Sequence, residues 1–189
     1  MRLIHKSIMS CLAMILFPMA TMAANFEVTP AMQANIDKQK AVIAEWAANA
    51  TVVKAVTDQN AKGPIAGMDN AKWKSVRRSD PTVAAFQENA AGAMLKLKLD
   101  ESQGLFSEAF LNAAQGEKVA FVEKTSSYIH KGSPKFDTPF DSGKAWQGKP
   151  DFDESSQTYA IQISVPVAAG GKNIGVLVVG VNLSRLEKK

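Results

Sequence analysis

The segment from Gln157 to Leu183 carries the most regular pattern in the chain, an alternation on both sides of a glycine pair. In its first half the large apolar side chains occupy every second position: Tyr159, Ile161, Ile163, Val165 and Val167. "AAGGKN" then supplies turn residues, and "IGVLVVGVNL" returns as a second apolar segment. A period of two is typical of a strand with one buried face, and a glycine pair between two such segments is typical of a hairpin. The sequence therefore predicts an antiparallel sheet here.

A second hairpin is predicted upstream, where "LFSEAFLNA" and "KVAFVEK" flank a turn at Gln115-Gly116. Helix signals come before it. Thr29-Pro30 predicts a long helix to about Val56, interrupted near Asn49-Ala50-Thr51, because threonine caps a helix and proline is tolerated at its first position. Asp80-Pro81 repeats the signal, and an apolar stripe of Val83, Phe86, Ala90, Met94 and Leu97 runs from there to about Leu99.

Helices grouped ahead of antiparallel strands indicate an α+β domain. We expect a long N-terminal helix and shorter helices on one face of a five- to six-stranded antiparallel sheet. The apolar side of the long helix carries Met32, Ile36, Ile43 and Trp46. Such a face is typical of core or of a dimer seam, so a homodimer through the N-terminal helix stays open.

The first 23 residues have the pattern of a secretory signal peptide. Arg2 and Lys6 precede an apolar run too short to span a bilayer comfortably, and small residues follow at Ala23. The sequence thus predicts a single domain over residues 24–189 in the periplasm. Without Arg2 and Lys6 the net charge falls from +4 to about +2 and no basic tract remains, which argues against a nucleic-acid partner.

Cleavage would also remove chemistry, because the one cysteine, Cys11, lies in that segment and His130 is the one histidine left. A zinc site of His and Cys ligands and a Cys–His pair are then excluded. We expect His130, in the polar stretch "SSYIHKGS", at an exposed loop or strand end. "DFDES" lacks the glycine and the length of a calcium loop. The sequence therefore predicts no catalytic residue, no metal and no cofactor.

A long polar region, residues 125–156, separates the two hairpins and contains one expected short strand around "SYIH". It ends in "GKAWQGKPDFDESS", which has neither a helical nor a strand period. Such a loop is a solvated connector, a lid over a ligand, or part of a catalytic site. The missing His and Cys chemistry argues against the third. The position of the loop ahead of the last hairpin, together with the resemblance described below, leads us to interpret it as a lid.

Three segments together resemble the Cache superfamily of extracytoplasmic, PAS-like sensor domains. They are "DPTVAAFQENAAGAMLKLK", the first hairpin "FSEAFLNAAQGEKVAFVEKTS", and "DSGKAWQGKPDFDESSQTYAIQISVPVAAGGKNIGVLVVGVNL". The resemblance covers nearly all of residues 24–189 and implies one PAS-like Cache domain. It also implies a small ligand, such as a carboxylate, an amino acid or a related metabolite, between the concave sheet face and the loop that joins the hairpins.

The resemblance implies ligand-binding residues in that loop. Lys144-Ala145-Trp146 is similar to the Arg-x-Trp element of amino-acid-binding relatives, although lysine loses the bidentate fork of arginine. Lys144 would supply charge and Trp146 an apolar wall. The other expected ligand-binding residues are Tyr128, Asp151, Asp153 and Tyr159. Each has an alternative structural role, because Trp146 can anchor the loop, Tyr159 can be core, and the charged residues can be solvated.

The predicted function is therefore small-molecule binding by a sensor-type domain without a transmembrane or output module of its own. Its ligand would be buffered or presented to a membrane receptor or sensor kinase. The alternative is an interaction module with a degenerate pocket. An enzyme built on Asp151, Asp153 and Glu154 is the least favoured interpretation, because no other acidic cluster accompanies them in the sequence.

Overall fold

The computed structural model describes residues 26–153 and 158–186. The helices are α1 (Pro30–Ala47), α2 (Ala50–Lys62), α3 (Asn70–Ser75), α4 (Pro81–Glu88), α5 (Ala90–Glu101), α6 (Pro134–Ser142) and α7 (Leu183–Leu186). The strands are β1 (Phe106–Ala113), β2 (Lys118–Phe121), β3 (Trp146–Gln147), β4 (Asp151–Asp153), β5 (Thr158–Ala169) and β6 (Lys172–Asn182). The predicted signal peptide, residues 1–23, lies outside the described residues, so its cleavage stays a prediction. None of the described helices is long and apolar enough to cross a membrane.

The six strands form one antiparallel sheet in the order β2-β1-β6-β5-β3, and β4 pairs with β5 beside β3. Both predicted hairpins are present, which confirms the α+β class with an antiparallel sheet. The β5–β6 turn places Gly170 and Gly171 at φ 57° and 75°, the left-handed conformation that two-residue hairpin turns require. Glycine adopts this conformation without steric cost, so the glycine pair fixes the register that aligns the two longest strands.

The predicted long helix is two helices, as the signals near residue 50 indicated. The hydroxyl of Thr29 accepts from the amide of Met32 at 3.2 Å and caps α1. Asn49 caps α2 by accepting from the amide of Thr51 at 2.9 Å. Because the Asn49 side chain accepts a hydrogen bond from a backbone amide of α2, the first helix ends and the second begins at this point.

The predicted stripe from Asp80 to Leu99 is likewise broken, into α4 and α5. Asn89 ends α4 and caps α5, and its amide group donates to the carbonyl of Val119 at 2.9 Å. The break turns Leu97 outward, where 55% of the side chain is exposed, so its predicted place in the stripe is wrong. The Asn89 side chain, hydrogen-bonded to the sheet and to the start of α5, thus interrupts the single helix that the apolar period predicted.

One face of the sheet is covered by α1, α2 and α5. The apolar face of α1 contributes Met32, Ile36, Ile43 and Trp46, all buried against strand residues such as Ile163 and Val179. This face is therefore used inside the fold. A homodimer through α1 would have to use its other, polar side and stays a prediction.

The opposite face carries a second, aromatic core, contrary to the prediction that helices cover one face only. Its buried members are Trp73, Val83, Phe86, Phe110, Phe121, Tyr128, Phe136, Val176 and Val178. They come from α3, α4, α6, the facing strands and, for Tyr128, the segment between β2 and α6, so the sheet lies between two layers. Trp73 is fully buried, and its indole N–H donates to the carbonyl of Thr125 at 2.8 Å. Two covered faces give the central strands nearly continuous burial.

The polar region between the hairpins is more ordered than predicted. It contains α6, whose first position is Pro134 and whose buried side includes Phe136 and Pro139. A proline in mid-helix argues against a helix in the sequence, but α6 has only nine residues and is packed on the sheet. The expected strand around "SYIH" is reduced to a single bridge between Glu117 and Ile129.

Candidate functional site

A cavity of about 450 Å³ opens on the sheet face that also carries the aromatic core. Its floor is a row of three residues across adjacent strands, because Glu108 and Gln162 both pair with Gly180 of β6. A Cβ atom on Gly180 would lie 2.6 Å from the Ser107 hydroxyl oxygen and 2.7 Å from Cγ of Glu108. Because Gly180 has no side chain, there is room at this position for the Ser107 and Glu108 side chains and for the cavity.

The floor residues are bonded to each other across this glycine. The Gln162 side-chain amide donates to Oε1 of Glu108 at 2.6 Å. The bond holds the carboxylate in one orientation at the base of the cavity. A fixed acceptor of this kind is suited to a donor group on a ligand.

The outer wall comes from the segment that was predicted to be a lid. β3 and β4 both pair with β5, placing Trp146 opposite Ser164 and Asp151 opposite Ala160. Between them the amide of Gly148 donates to the carbonyl of Gln162 at 2.8 Å, and the Trp146 indole packs over Gly148. The segment is therefore partly an edge of the sheet, and its pairing brings Trp146 and Asp151, two of the predicted ligand-binding residues, into the cavity lining.

The lining carries charges of both signs. Glu108 and Asp151 are acidic, and Lys135 of α6 and Lys149 of the wall are basic. Lys135 is half-buried where α6 begins, whereas Lys149 is exposed. With the Trp146 ring beside them, these groups offer an aromatic surface, cationic donors and anionic acceptors within one concave space.

The structure leaves Lys144 and Tyr159 outside this cavity lining. Lys144 is exposed after α6, where its backbone amide donates to the Ser142 hydroxyl at 3.1 Å. Tyr159 lies on the opposite sheet face, half-buried between the rings of Phe26 and Phe152, with centroids 4.6 and 5.2 Å away. Tyr159 therefore supports packing with the α1 side. The side chain of Asp153, the sixth predicted residue, lies outside the described part of the structure.

Tyr128 is also away from the cavity lining, buried in the aromatic core. Its ring lies 5.6 Å from that of Trp73, and its hydroxyl accepts from the amide of Ile65 at 2.9 Å. Burial raises the pKa of the Tyr128 hydroxyl. Its contacts fasten the segment ahead of α3 to the core.

His130 is buried, which overturns the expectation of an exposed loop residue. The side chain is 9% exposed, its ring lies 4.9 Å from that of Phe110, and its amide donates to the carbonyl of Gly116 at 2.8 Å. Burial, with smaller contributions from Lys118 and Lys135, lowers the pKa of His130 to about 3. The polar neighbours of His130 in the sequence gave no signal of this burial.

The sequence reasoning missed Lys118, a fully buried lysine of β2. Its ammonium lies 3.5 Å from the centroid of the Phe110 ring and donates to Oδ1 of Asn112 at 3.1 Å. Burial lowers the pKa of Lys118 well below its ordinary value; the charge of Glu108 opposes this change and that of Lys135 adds to it. The one sequence signal was a lysine in a short apolar strand between two turn-rich segments.

The described part of the chain brings together no group of three His, Cys, Asp or Glu side chains able to hold a metal ion. Its concave site is built from side chains suited to non-covalent contacts with an organic molecule.

The described architecture matches solved sensor domains. The Escherichia coli DcuS sensor domain is 14% identical, with a TM-score of 0.50 over 83% of this chain and 95% of that domain. The chain has the PAS-like Cache fold.

Two chemoreceptor domains also match the chain, at lower structural similarity. The Pseudomonas aeruginosa amino acid chemoreceptor PctC, in complex with GABA, is 13% identical with a TM-score of 0.46. The sensory domain of a Campylobacter jejuni chemoreceptor, with isoleucine bound, is 15% identical with a TM-score of 0.46. Each match covers 84% of this chain, which spans only 58% of the length of either chemoreceptor domain. No family model and no curated protein matches the chain.

Proposed function

We propose that this chain is an extracytoplasmic sensor-type domain that binds one small charged organic molecule in the cavity between Gly180 and Trp146. The predicted signal peptide supports export to the periplasm. The domain would buffer its ligand or present it to a membrane receptor or sensor kinase. We propose binding and not catalysis.

The observation that carries the proposal is the composition of the cavity. Its volume of about 450 Å³ lies in the range of small-molecule sites, which combine apolar walls with a few fixed polar groups. Here Trp146 supplies the aromatic wall, and the Gln162–Glu108 bond supplies the fixed polar group. The site is built on strands, which hold their side chains in place better than a loop does.

The charges of the lining suggest the ligand class. Lys135 and Lys149 can pair with a carboxylate, and Glu108 and Asp151 with an ammonium. A carboxylate, an amino acid or a related metabolite would satisfy these groups. Every charged group of the lining is half-buried or exposed. Pairing with a ligand would therefore desolvate these groups only in part, at a smaller cost than for a fully buried pair.

A thermal-shift screen of residues 24–189 against organic acids, amino acids, amines and divalent metals tests the proposal. A ligand at about a hundred times its Kd stabilises the folded state by about 2.7 kcal/mol, which raises Tm by roughly 5 to 10 °C in a domain of this size. We expect such a rise for one class of organic compound.

Two lysines provide a matched control. Lys149 lines the cavity and Lys144 does not, although both are exposed. Lys149→Ala and Trp146→Ala should reduce the rise in Tm, whereas Lys144→Ala should leave it unchanged. Flat responses across the whole panel would contradict the proposal and favour the alternative, an interaction module with a degenerate pocket.

A further inference from the structure

Four charged side chains line the cavity, and none of them has an ion-pair partner among the described residues. They are Glu108, Lys135, Lys149 and Asp151. The ion pairs of the described residues join other side chains, chiefly neighbours on helix surfaces. Charges that fixed elements hold around one concave space without pairing are available to a ligand of the opposite charge.

These charges differ in depth. Glu108 lies on the floor, half-buried on β1 beside the central strand β6. Lys149 and Asp151 are exposed on the outer wall, and Lys135 is half-buried at the start of α6, which packs against β5 and β6. The other two floor residues are a glycine and a glutamine, so the charge on the floor is negative. The innermost group of a ligand on the floor therefore faces a carboxylate.

The floor offers hydrogen-bond acceptors. An ionised carboxylate only accepts, so the Gln162 side chain turns its amide nitrogen to Oε1 of Glu108, at 2.6 Å. The side-chain carbonyl oxygen of Gln162 and Oε2 of Glu108 are left without a donor from the described residues. Ser107 adds a hydroxyl to the same lining. These three oxygens suit a group with several N–H donors.

Lys118 of β2 is the buried lysine whose charge interacts with that of Glu108. The two side chains form no ion pair, and the Lys118 amine instead donates to Oδ1 of Asn112 at 3.1 Å. Burial, the largest effect, lowers the pKa of Lys118 well below its ordinary value. Lys118 is therefore a weak counter-charge for Glu108, and a cationic group of a ligand would not have to displace it.

We propose that the floor of the cavity binds a protonated primary amine, so that the ligand is an amine or an amino acid and not a simple carboxylate. The proposal rests on the function proposed above and adds to it the group that the ligand must carry and the end that enters first. An ammonium has three N–H donors, which match Oε2 of Glu108, the side-chain oxygen of Gln162 and the Ser107 hydroxyl. Hydrogen bonds between an ammonium and a carboxylate are roughly twice as strong as those between neutral groups.

The remaining lining fits the other parts of such a ligand. The aromatic ring of Trp146 is a favourable neighbour for a cation. Lys135 and Lys149, which lie away from the floor, can pair with a carboxylate at the other end of an amino acid. The cavity therefore suits amines with and without an acid group, provided that the ammonium occupies the floor.

Isothermal titration calorimetry at about pH 7 tests the proposal with four probes that share a five-carbon chain. They are pentylamine, norvaline, 5-aminopentanoate and pentanoate, of which pentanoate alone lacks an ammonium. We expect at least one of the three amines to bind, and pentanoate to bind at least about tenfold more weakly than that amine. Norvaline and 5-aminopentanoate differ in the spacing of ammonium and carboxylate, so their relative affinities report how far the lysines lie from the bound ammonium.

Glu108→Gln keeps the size of the side chain and its bond from Gln162 but removes the charge. It should weaken binding of the amines by about tenfold to a hundredfold and leave pentanoate unchanged, whereas Trp146→Ala should weaken all four probes. Glu88→Gln is the matched control, because Glu88 is exposed at the end of α4 and does not line the cavity. It should bind as the wild type does. If Glu108→Gln does not fold, Gln162→Met removes the second acceptor and should show the same selective loss.

Three results would overturn the inference. They are pentanoate binding as tightly as the amines, a preference for amines that survives the loss of the Glu108 charge, and no binding by any amine up to about 10 mM, a concentration that detects weak association. The function proposed above fails separately, because a compound without an ammonium that binds through Trp146 and Lys149 would preserve it.

Discussion

Acidification should destabilise the protein through His130. The pKa of this buried ring is about 3 in the folded state, against an ordinary value of 6.5. Between these values the unfolded chain binds more protons than the folded one, so stability is lost as the pH falls from about 6.5 towards 3. A difference of roughly 3.5 units corresponds to an upper limit of about 5 kcal/mol, of which about 2.5 kcal/mol should be lost by about pH 4.5.

Urea denaturation at about pH 7, 5.5 and 4.5 measures this loss, with His130→Phe as the comparison. Phenylalanine keeps a ring against Phe110 and does not titrate. The titration of other groups is common to both proteins, so the difference between their pH dependences isolates His130. The reasoning is refuted if the wild type loses less than about 0.5 kcal/mol over this range, or if His130→Phe loses as much as the wild type.

Two further changes test the packing that positions the site. Asn70→Ala removes an acceptor that holds the amides of Tyr128 and Ile129, each at 2.8 Å, and should cost about 2 to 4 kcal/mol in urea denaturation, with a cost below about 1 kcal/mol arguing against a structural role. Gly175→Ala places a Cβ atom 2.3 Å from the carbonyl oxygen of Asn112, so it should cost about 3 kcal/mol or more; near-neutral stability would show that β1 and β6 separate easily.

The sequence was most informative where local chemistry decides the structure. The alternation around Ile161 and Ile163, with the glycine pair after it, predicted β5 and β6 because a buried face requires a period of two. Thr29-Pro30 predicted the start of α1 for an equally local reason, the capping of free amides. Such signals depend on neighbouring residues only.

The sequence was least informative where distant residues meet. Pro139 and the polar composition around it concealed α6, and the polar character of Lys118 and His130 concealed their burial. No local pattern distinguishes a lysine that tertiary packing will bury from one on an open strand.

The same limit applied to the predicted ligand-binding residues. Two of the predicted ligand-binding residues, Trp146 and Asp151, line the cavity because β3 and β4 pair with β5. That register also includes Lys149 and leaves out Lys144. The register of two- and three-residue strands is set by tertiary pairing, which the sequence does not reveal.

The central claim is that a ligand binds against Trp146. Fluorine NMR of protein labelled with 5-fluorotryptophan tests it, because the chain has three tryptophans and two of them, Trp46 and Trp73, are buried in the two cores. Single Trp→Phe variants assign the resonances. We predict that a compound found in the thermal-shift screen shifts the Trp146 resonance and leaves the other two nearly unchanged. A compound that stabilises the protein yet shifts only Trp46 or Trp73 would contradict the account.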